Sequence, residues 1–232
     1  LADEAIVTKN LDGTHARTTL RLLQSKVSLL RNYVQCYETW GVANGFSQRD
    51  EKIYGFVEAT LVEMRAFCTT VDEDGEETNE ARNQKLLKNL GLHKVLRRAS
   101  EIEYAKLGDE ASRRGMKRIV TLAYRLLVRF VWRSKPNQKL IFAWGIDTFL
   151  AQLKEKIGAE DVIKATFESN FDLCQRMPNK LFHVFAQQLE NLPYAVEKLK
   201  FFADVVECDG EVIQRNQVRV LRAINDKTLS HV

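Results

Sequence analysis

The sequence predicts an all-α protein built as an armadillo-like α-solenoid of stacked helix pairs. Three observations carry that prediction. Apolar residues recur at helical spacing along most of the chain, and the three prolines, Pro136, Pro178 and Pro193, stand just before such runs. A helix–glycine–helix segment also returns at a fixed interval, the mark of a repeat architecture. Strand-type alternation does not stand out anywhere.

The elements follow in order. Leu20, Leu23, Val27, Leu30 and Val34 lie at three- and four-residue steps and define a first amphipathic helix. Ile53, Phe56, Val57, Thr60, Leu61 and Met64 define a second, and the Ser47 to Asp50 spacing has the form of a capping box at its start. Residues 70–79 contain Asp72-Glu73-Asp74-Gly75-Glu76-Glu77 with nothing apolar to bury, and read as an exposed acidic loop. A calcium loop of EF-hand type needs glycine at its sixth position, whereas Gly75 is fourth from Asp72, so no metal site is assigned there. The chain is expected to divide into an N-terminal helical region, 1–78, that ends in this loop, and a helical-repeat domain, 79–232.

The repeat opens the second part. Asn83-Gln84-Lys85-Leu86-Leu87 returns as Asn137-Gln138-Lys139-Leu140-Ile141, and Gly91 returns as Gly145, both at an offset of 54 residues (137 − 83 and 145 − 91). In each copy a short helix runs into a glycine able to take the left-handed conformation, and a second apolar run follows at once. A third pair, Asn216-Gln217, sits in a helical run after Asp209-Gly210. Amides recurring beside inter-helix turns read first as partners for backbone groups, and only second as ligand contacts. Between the first two copies, residues 112–133 form the strongest helix of the chain, with Met116, Ile119, Val120, Leu126, Leu127 and Phe130 for its core face.

Composition narrows the function classes. The 35 basic and 31 acidic residues nearly balance, which argues against a nucleic-acid-binding face. Cys36, Cys68, Cys174 and Cys208 lie far apart without a CxxC pair, so neither a disulfide framework nor a zinc site is indicated, and a reducing, cytosolic setting is expected. No apolar run approaches the roughly 20 residues that cross a bilayer. The opening Leu1 reads as the start of a segment cut from a longer polypeptide.

Catalytic signatures are missing: there is no GxSxG, P-loop, HExxH or glycine-rich nucleotide fingerprint, and no catalytic residue, metal ligand or cofactor is assigned. The four histidines, His15, His93, His183 and His231, are scattered. His183, inside the run Leu181, Phe182, Val184 and Phe185, reads as a packed imidazole. Trp132, Phe142, Trp144, Phe149, Phe201 and Phe202 read as core or inter-repeat packing, and Cys174 and Cys208 as small buried side chains.

Beyond these physical readings, the stretch Asn83 to Gly91, then Pro136-Asn137-Gln138, then Phe167-Glu168-Ser169-Asn170-Phe171-Asp172-Leu173-Cys174 resembles the helical homology domain shared by inositol trisphosphate receptors and ryanodine receptors. Lys198-Leu199-Lys200-Phe201-Phe202, Glu207 to Ile213 and Asn216-Gln217 extend the resemblance, which runs from about Asn79 to Leu221. It implies a cytosolic module of a homotetrameric calcium-release channel in a calcium-store membrane such as the endoplasmic reticulum, whose partners are neighbouring domains of the same subunit. The Phe167 to Cys174 stretch is more similar to the central, modulatory copy of this domain in inositol trisphosphate receptors than to the ligand-pocket copy. The ligand-pocket copy would want converging cations. Lys85, Lys88 and Lys135 answer part of that set, but Ala81 and Ser134 do not complete it.

One further cluster concerns partners. Arg118, Arg125, Arg129 and Arg133, at intervals of seven, four and four, place a basic stripe on one face of the 112–133 helix. Such a stripe either receives an acidic neighbour or an anionic head group, or is a solvated face paired locally with glutamates. Two function classes follow. One is a coupling module that carries ligand-induced displacement toward a pore. The other is a free-standing helical adaptor that binds an acidic partner or head group through the basic face.

Overall fold

The computed structural model describes residues 13–37, 48–71, 77–79, 81–107, 109–190 and 195–229. Among them the chain is almost wholly helical. Two long helices come first, α1 (Gly13–Cys36) and α2 (Gln48–Phe67), followed by two three-residue strands, β1 (Thr69–Val71) and β2 (Glu77–Asn79). A short pair, α3 (Ala81–Asn89) and α4 (Leu92–Ser100), leads to the long α5 (Glu110–Val131). The pairing then repeats as α6 (Lys135–Phe142) and α7 (Ile146–Ala151), followed by α8 (Ala159–Phe167), α9 (Phe171–Gln175) and α10 (Asn179–Gln187). The last elements are α11 (Ala195–Val206), a hairpin of β3 (Glu207–Cys208) and β4 (Glu211–Val212), and α12 (Gln214–Leu229).

The long helix α5 organises the stack, because it buries one broad apolar face. Met116, Val120, Tyr124, Leu127 and Phe130 are all buried, and α2, α4, α6 and α8 pack around it. A helix surrounded in this way draws its stability from packing, and each fully buried Leu or Phe contributes about 1.5–3 kcal/mol. Asp109 caps its first turn, accepting from the Ser112 amide at 2.7 Å. The Ser112 hydroxyl, together with that bond, holds the exposed Asp109 carboxyl below its usual range. The core is one cluster from Leu20 to Ala223 and is continuous across the sequence boundary near residue 79.

Both predicted glycine turns are present. Gly91 (φ 76°) separates α3 from α4 and Gly145 (φ 93°) separates α6 from α7, each with the positive φ that glycine alone adopts at little cost. Pro136 stands in the first turn of α6, and Pro178 stands just before α10, at its N-cap. Pro193 and the capping serine Ser47 lie outside the described residues.

Four expectations are corrected. Ile53 and Phe56 are 45% and 59% exposed, because α2 buries the stripe Tyr54, Val57, Leu61 and Met64 toward its neighbours. The 70–79 segment is not all loop: Thr69–Val71 pairs antiparallel with Glu77–Asn79, while the acidic residues 72–76 lie outside the described residues. Helix α5 ends at Val131, earlier than expected, and Arg133 turns away from it in the left-handed region (φ 53°). His183 is exposed rather than packed. A second small hairpin, Glu207–Cys208 with Glu211–Val212, was also not foreseen as strands; Asp209 (φ 55°) and Gly210 (φ 79°) have the two positive φ values of a type I′ turn.

Candidate functional site

A helix that ends inside a protein leaves its last carbonyls without intrahelical partners, and they must be satisfied locally. Here the ends of α5 and α8 are built alike. The residue past each helix is extended, Trp132 at φ −53°, ψ 121° and Glu168 at φ −56°, ψ 124°. The next residue is left-handed in both, Arg133 at φ 53° and Ser169 at φ 50°. The carbonyls this geometry exposes are taken up by the repeated amides.

The Gln84 side chain donates from Nε2 to the carbonyls of Arg129 (2.7 Å) and Trp132 (3.1 Å) at the end of α5. Gln138 does the same one repeat later, donating to the carbonyls of Ala165 and Glu168, both at 2.8 Å, at the end of α8. The asparagines face the other way along the chain. Asn83 donates to the Phe67 carbonyl at 2.9 Å, Asn137 to that of Phe130 at 2.8 Å, and Asn216 to those of Val205 and Cys174, both at 2.8 Å. Asn170 joins two of these units, donating to Gln138 Oε1 at 2.8 Å while its own Oδ1 accepts from the Leu173 amide at 3.3 Å. Gln84, Asn137, Gln138, Asn170 and Asn216 are 0–1% exposed, so these bonds form in a low-dielectric interior. The amides satisfy helix ends, as their position beside the turns suggested. Gln217 departs from the pattern and is exposed. Asn170 was not singled out from sequence, since it stands outside the Asn-Gln pairs.

The arginine stripe is divided among several environments. Arg118 pairs with Glu58 of α2 at 2.7 Å, and Arg125 is exposed. The guanidinia of Arg129 and Arg133 lie over the Trp132 ring at 4.9 and 5.1 Å from its centroid, and the Trp132 indole donates to Glu168 Oε1 at 2.8 Å. Arg133 is also 3.6 Å from that carboxylate. Of the three candidate inositol-phosphate lysines, Lys85 and Lys88 are one turn apart on α3, while Lys135 begins α6 and pairs with Asp209 at 3.5 Å. None of the three lines either of the two clefts described here. One of these, about 350 Å³, lies between α8 and α11 and mixes Asp161, Glu168 and Asp204 with Lys164 and Lys200. Burial raises the Asp204 carboxyl there.

Other predicted side chains fall as follows. Cys174 and Cys208 are buried, and burial raises both thiols. Trp144 stacks on Phe149 (6.4 Å, 20°), Phe142 meets Phe167 edge-on (5.9 Å), and Phe201 packs on Phe185 (4.4 Å). His93 lies against Phe130 at 6.4 Å with its Nδ1 buried and unpartnered. Among the described residues no group of His, Cys, Asp or Glu has the arrangement of a metal site, and no helix is long and apolar enough to cross a membrane.

Helix pairs stacked on one core and joined at their ends by buried amides define an armadillo-like helical repeat. Within that class, the family model of the RIH domain, the homology domain of ryanodine and inositol trisphosphate receptors, matches residues 65–227. The chain belongs to the RIH family. RIH domains are parts of larger subunits of calcium-release channels of that type, in their cytosolic portions.

Proposed function

We propose that this domain is a non-catalytic coupling module of a ligand-gated calcium-release channel of the inositol trisphosphate receptor type. Its stacked helix pairs carry a ligand-induced displacement toward the pore. The observation that supports this reading is the chain of buried amides: Gln84, Gln138, Asn170 and Asn216 each bond an element outside their own helix, so a shift of one helix end is imposed on the next. Buried polar links resist gradual deformation and favour discrete arrangements, which transmission over a distance requires. In this reading the domain works at the cytosolic face of the endoplasmic reticulum or a similar store, in a homotetramer, against neighbouring domains of its own subunit.

Hydrogen exchange on the 232-residue chain tests the reading. Gln138→Met is expected to raise exchange at the ends of α5, α8 and α12 together. Faster exchange confined to α6 and α8 would mean that the repeats open independently, and would sink the coupling role. Calorimetric titration with inositol trisphosphate addresses the ligand-pocket role separately: no binding heat is expected, and tight binding lost in Lys85→Ala/Lys88→Ala would reassign the domain to that role.

A further inference from the structure

The second cleft has a different character from the first. It is a groove of about 520 Å³ between α10 and α12, and it is basic. Helix α12 contributes Arg215, Arg219 and Arg222, while α10 contributes Asn179 and His183, one turn apart. The sequence spreads these groups over more than 40 positions, and the packing of α10 on α12 brings them to one place. Phe182 forms a buried floor, and Val218, 46% exposed, stands on the wall between the arginines. Asp226, one turn past Arg222, closes the basic stretch.

The three cations are not equivalent. Arg219 is fixed: its Nη1 donates to the Met177 carbonyl at 2.9 Å and its guanidinium lies over the Phe182 ring at 5.8 Å. Arg215 and Arg222 are exposed, and among the described residues neither is in an ion pair. Basic residues elsewhere on the surface commonly do have a carboxylate, as Arg118 has Glu58 and Lys139 has Asp172. The two open arginines are seven residues apart, two turns of helix or about 10 Å. Carboxylates two turns apart on a facing helix match that separation, and Val218, three residues after Arg215 and four before Arg222, offers an apolar contact midway.

We propose that the α10–α12 groove is a docking site for an acidic amphipathic helix that presents two carboxylates two turns apart with an apolar side chain between them. The carboxylates pair with Arg215 and Arg222, and the apolar residue packs on Val218 and the Phe182 floor. The site shares no residue with the buried amides and is independent of the coupling role.

The probe is a fluorescein-labelled, helix-stapled peptide with glutamates at positions i and i+7 and leucine at i+3, followed by fluorescence anisotropy on the full chain. Saturable binding is expected, weakening as salt shortens the screening length. Glutamine in place of both glutamates, or Arg215→Glu/Arg222→Glu in the protein, is expected to reduce affinity about tenfold or more, as for paired charges in a partly desolvated contact. Both arginines are exposed, so the helical circular dichroism and melting temperature of the double variant should match the parent. Val218→Ser is expected to weaken binding severalfold, a loss that pure charge attraction would not produce. Equal binding of the glutamate and glutamine peptides, or unchanged binding by the double variant, overturns the proposal. So does inositol hexakisphosphate or a phosphatidylserine vesicle that binds through the same arginines more tightly than the peptide, because the groove would then serve a compact polyanion or a membrane surface.

Discussion

Gln138 is the residue on which the stacking of the second repeat most depends. Its side chain makes three bonds of 2.8 Å, donating to the Ala165 and Glu168 carbonyls and accepting from Asn170. Gln138→Met keeps the volume and removes all three. Ala165 and Asn170 are 3% and 1% exposed, so water does not readily replace the lost partner. A buried polar group left unmatched costs about 1–3 kcal/mol. Two such groups at full penalty and the carbonyl of the partly exposed Glu168 at a partial one sum to about 2–7 kcal/mol. For a chain of this length that corresponds to a fall in Tm of about 4–28 °C. Urea unfolding followed by far-ultraviolet circular dichroism measures the change. Lys139→Ala, one position on, is the control: it removes only the exposed 3.2 Å pair with Asp172 and should cost less than about 0.5 kcal/mol. A Gln138→Met variant within about 1 kcal/mol of the parent would refute the claim that these bonds carry the helix end.

Three further outcomes follow from the same structure. Gly145→Ala meets no atom within 4 Å, so its cost is backbone strain alone; at φ 93°, ψ 129° this is about 1–3 kcal/mol and should exceed that of Gly91→Ala at φ 76°, ψ 19°, as read from urea midpoints. Burial, with the Lys94 and Lys88 charges, holds the His93 imidazole below its ordinary range. The unfolded chain therefore takes up that proton first, and stability present above about pH 6.5 is lost as pH falls toward the depressed native value. His93→Gln should flatten that part of the stability profile between neutral and mildly acidic pH. Finally, Cys36 is exposed while burial pushes the Cys68 thiol up to about 12 and raises those of Cys174 and Cys208. A thiol reagent should modify Cys36 at once and the other three only at the rate of unfolding.

The parts of this fold legible in the sequence are those where one physical requirement dominates. Leu20, Leu23, Val27, Leu30 and Val34 are all buried because a long amphipathic helix has a single stripe to hide. Gly91 and Gly145 mark turns because few other residues adopt their φ. The misreadings come from competition between requirements. Ile53 and Phe56 satisfy a helical period but fall beside the stripe that α2 buries, and apolar identity alone does not say which of two adjacent stripes is covered. The β1–β2 strands are three residues long and drawn partly from Glu77, Thr78 and Asn79, too short for any alternation to register. The α10–α12 groove escaped notice because Arg215, Arg219 and Arg222 acquire meaning only beside Asn179 and His183 of another helix.

The buried amides fall between these cases, and the reason lies in their spacing. Gln84 and Gln138 are 54 residues apart, yet the first reaches 48 residues forward to the Trp132 carbonyl and the second only 30 to that of Glu168. Most of the difference arises because α5 has 22 residues where α8 has nine, and the rest from the longer stretch that precedes α5. What the two repeats share is therefore not a sequence interval between donor and acceptor but a spatial need: a helix end of the same geometry, buried against the start of the preceding helix pair, whose carbonyls require a donor. A glutamine one turn into α3 or α6 meets that need whatever the length of the intervening chain. Periodicity can reveal such donors, while their acceptors, set only by packing, are found from the structure.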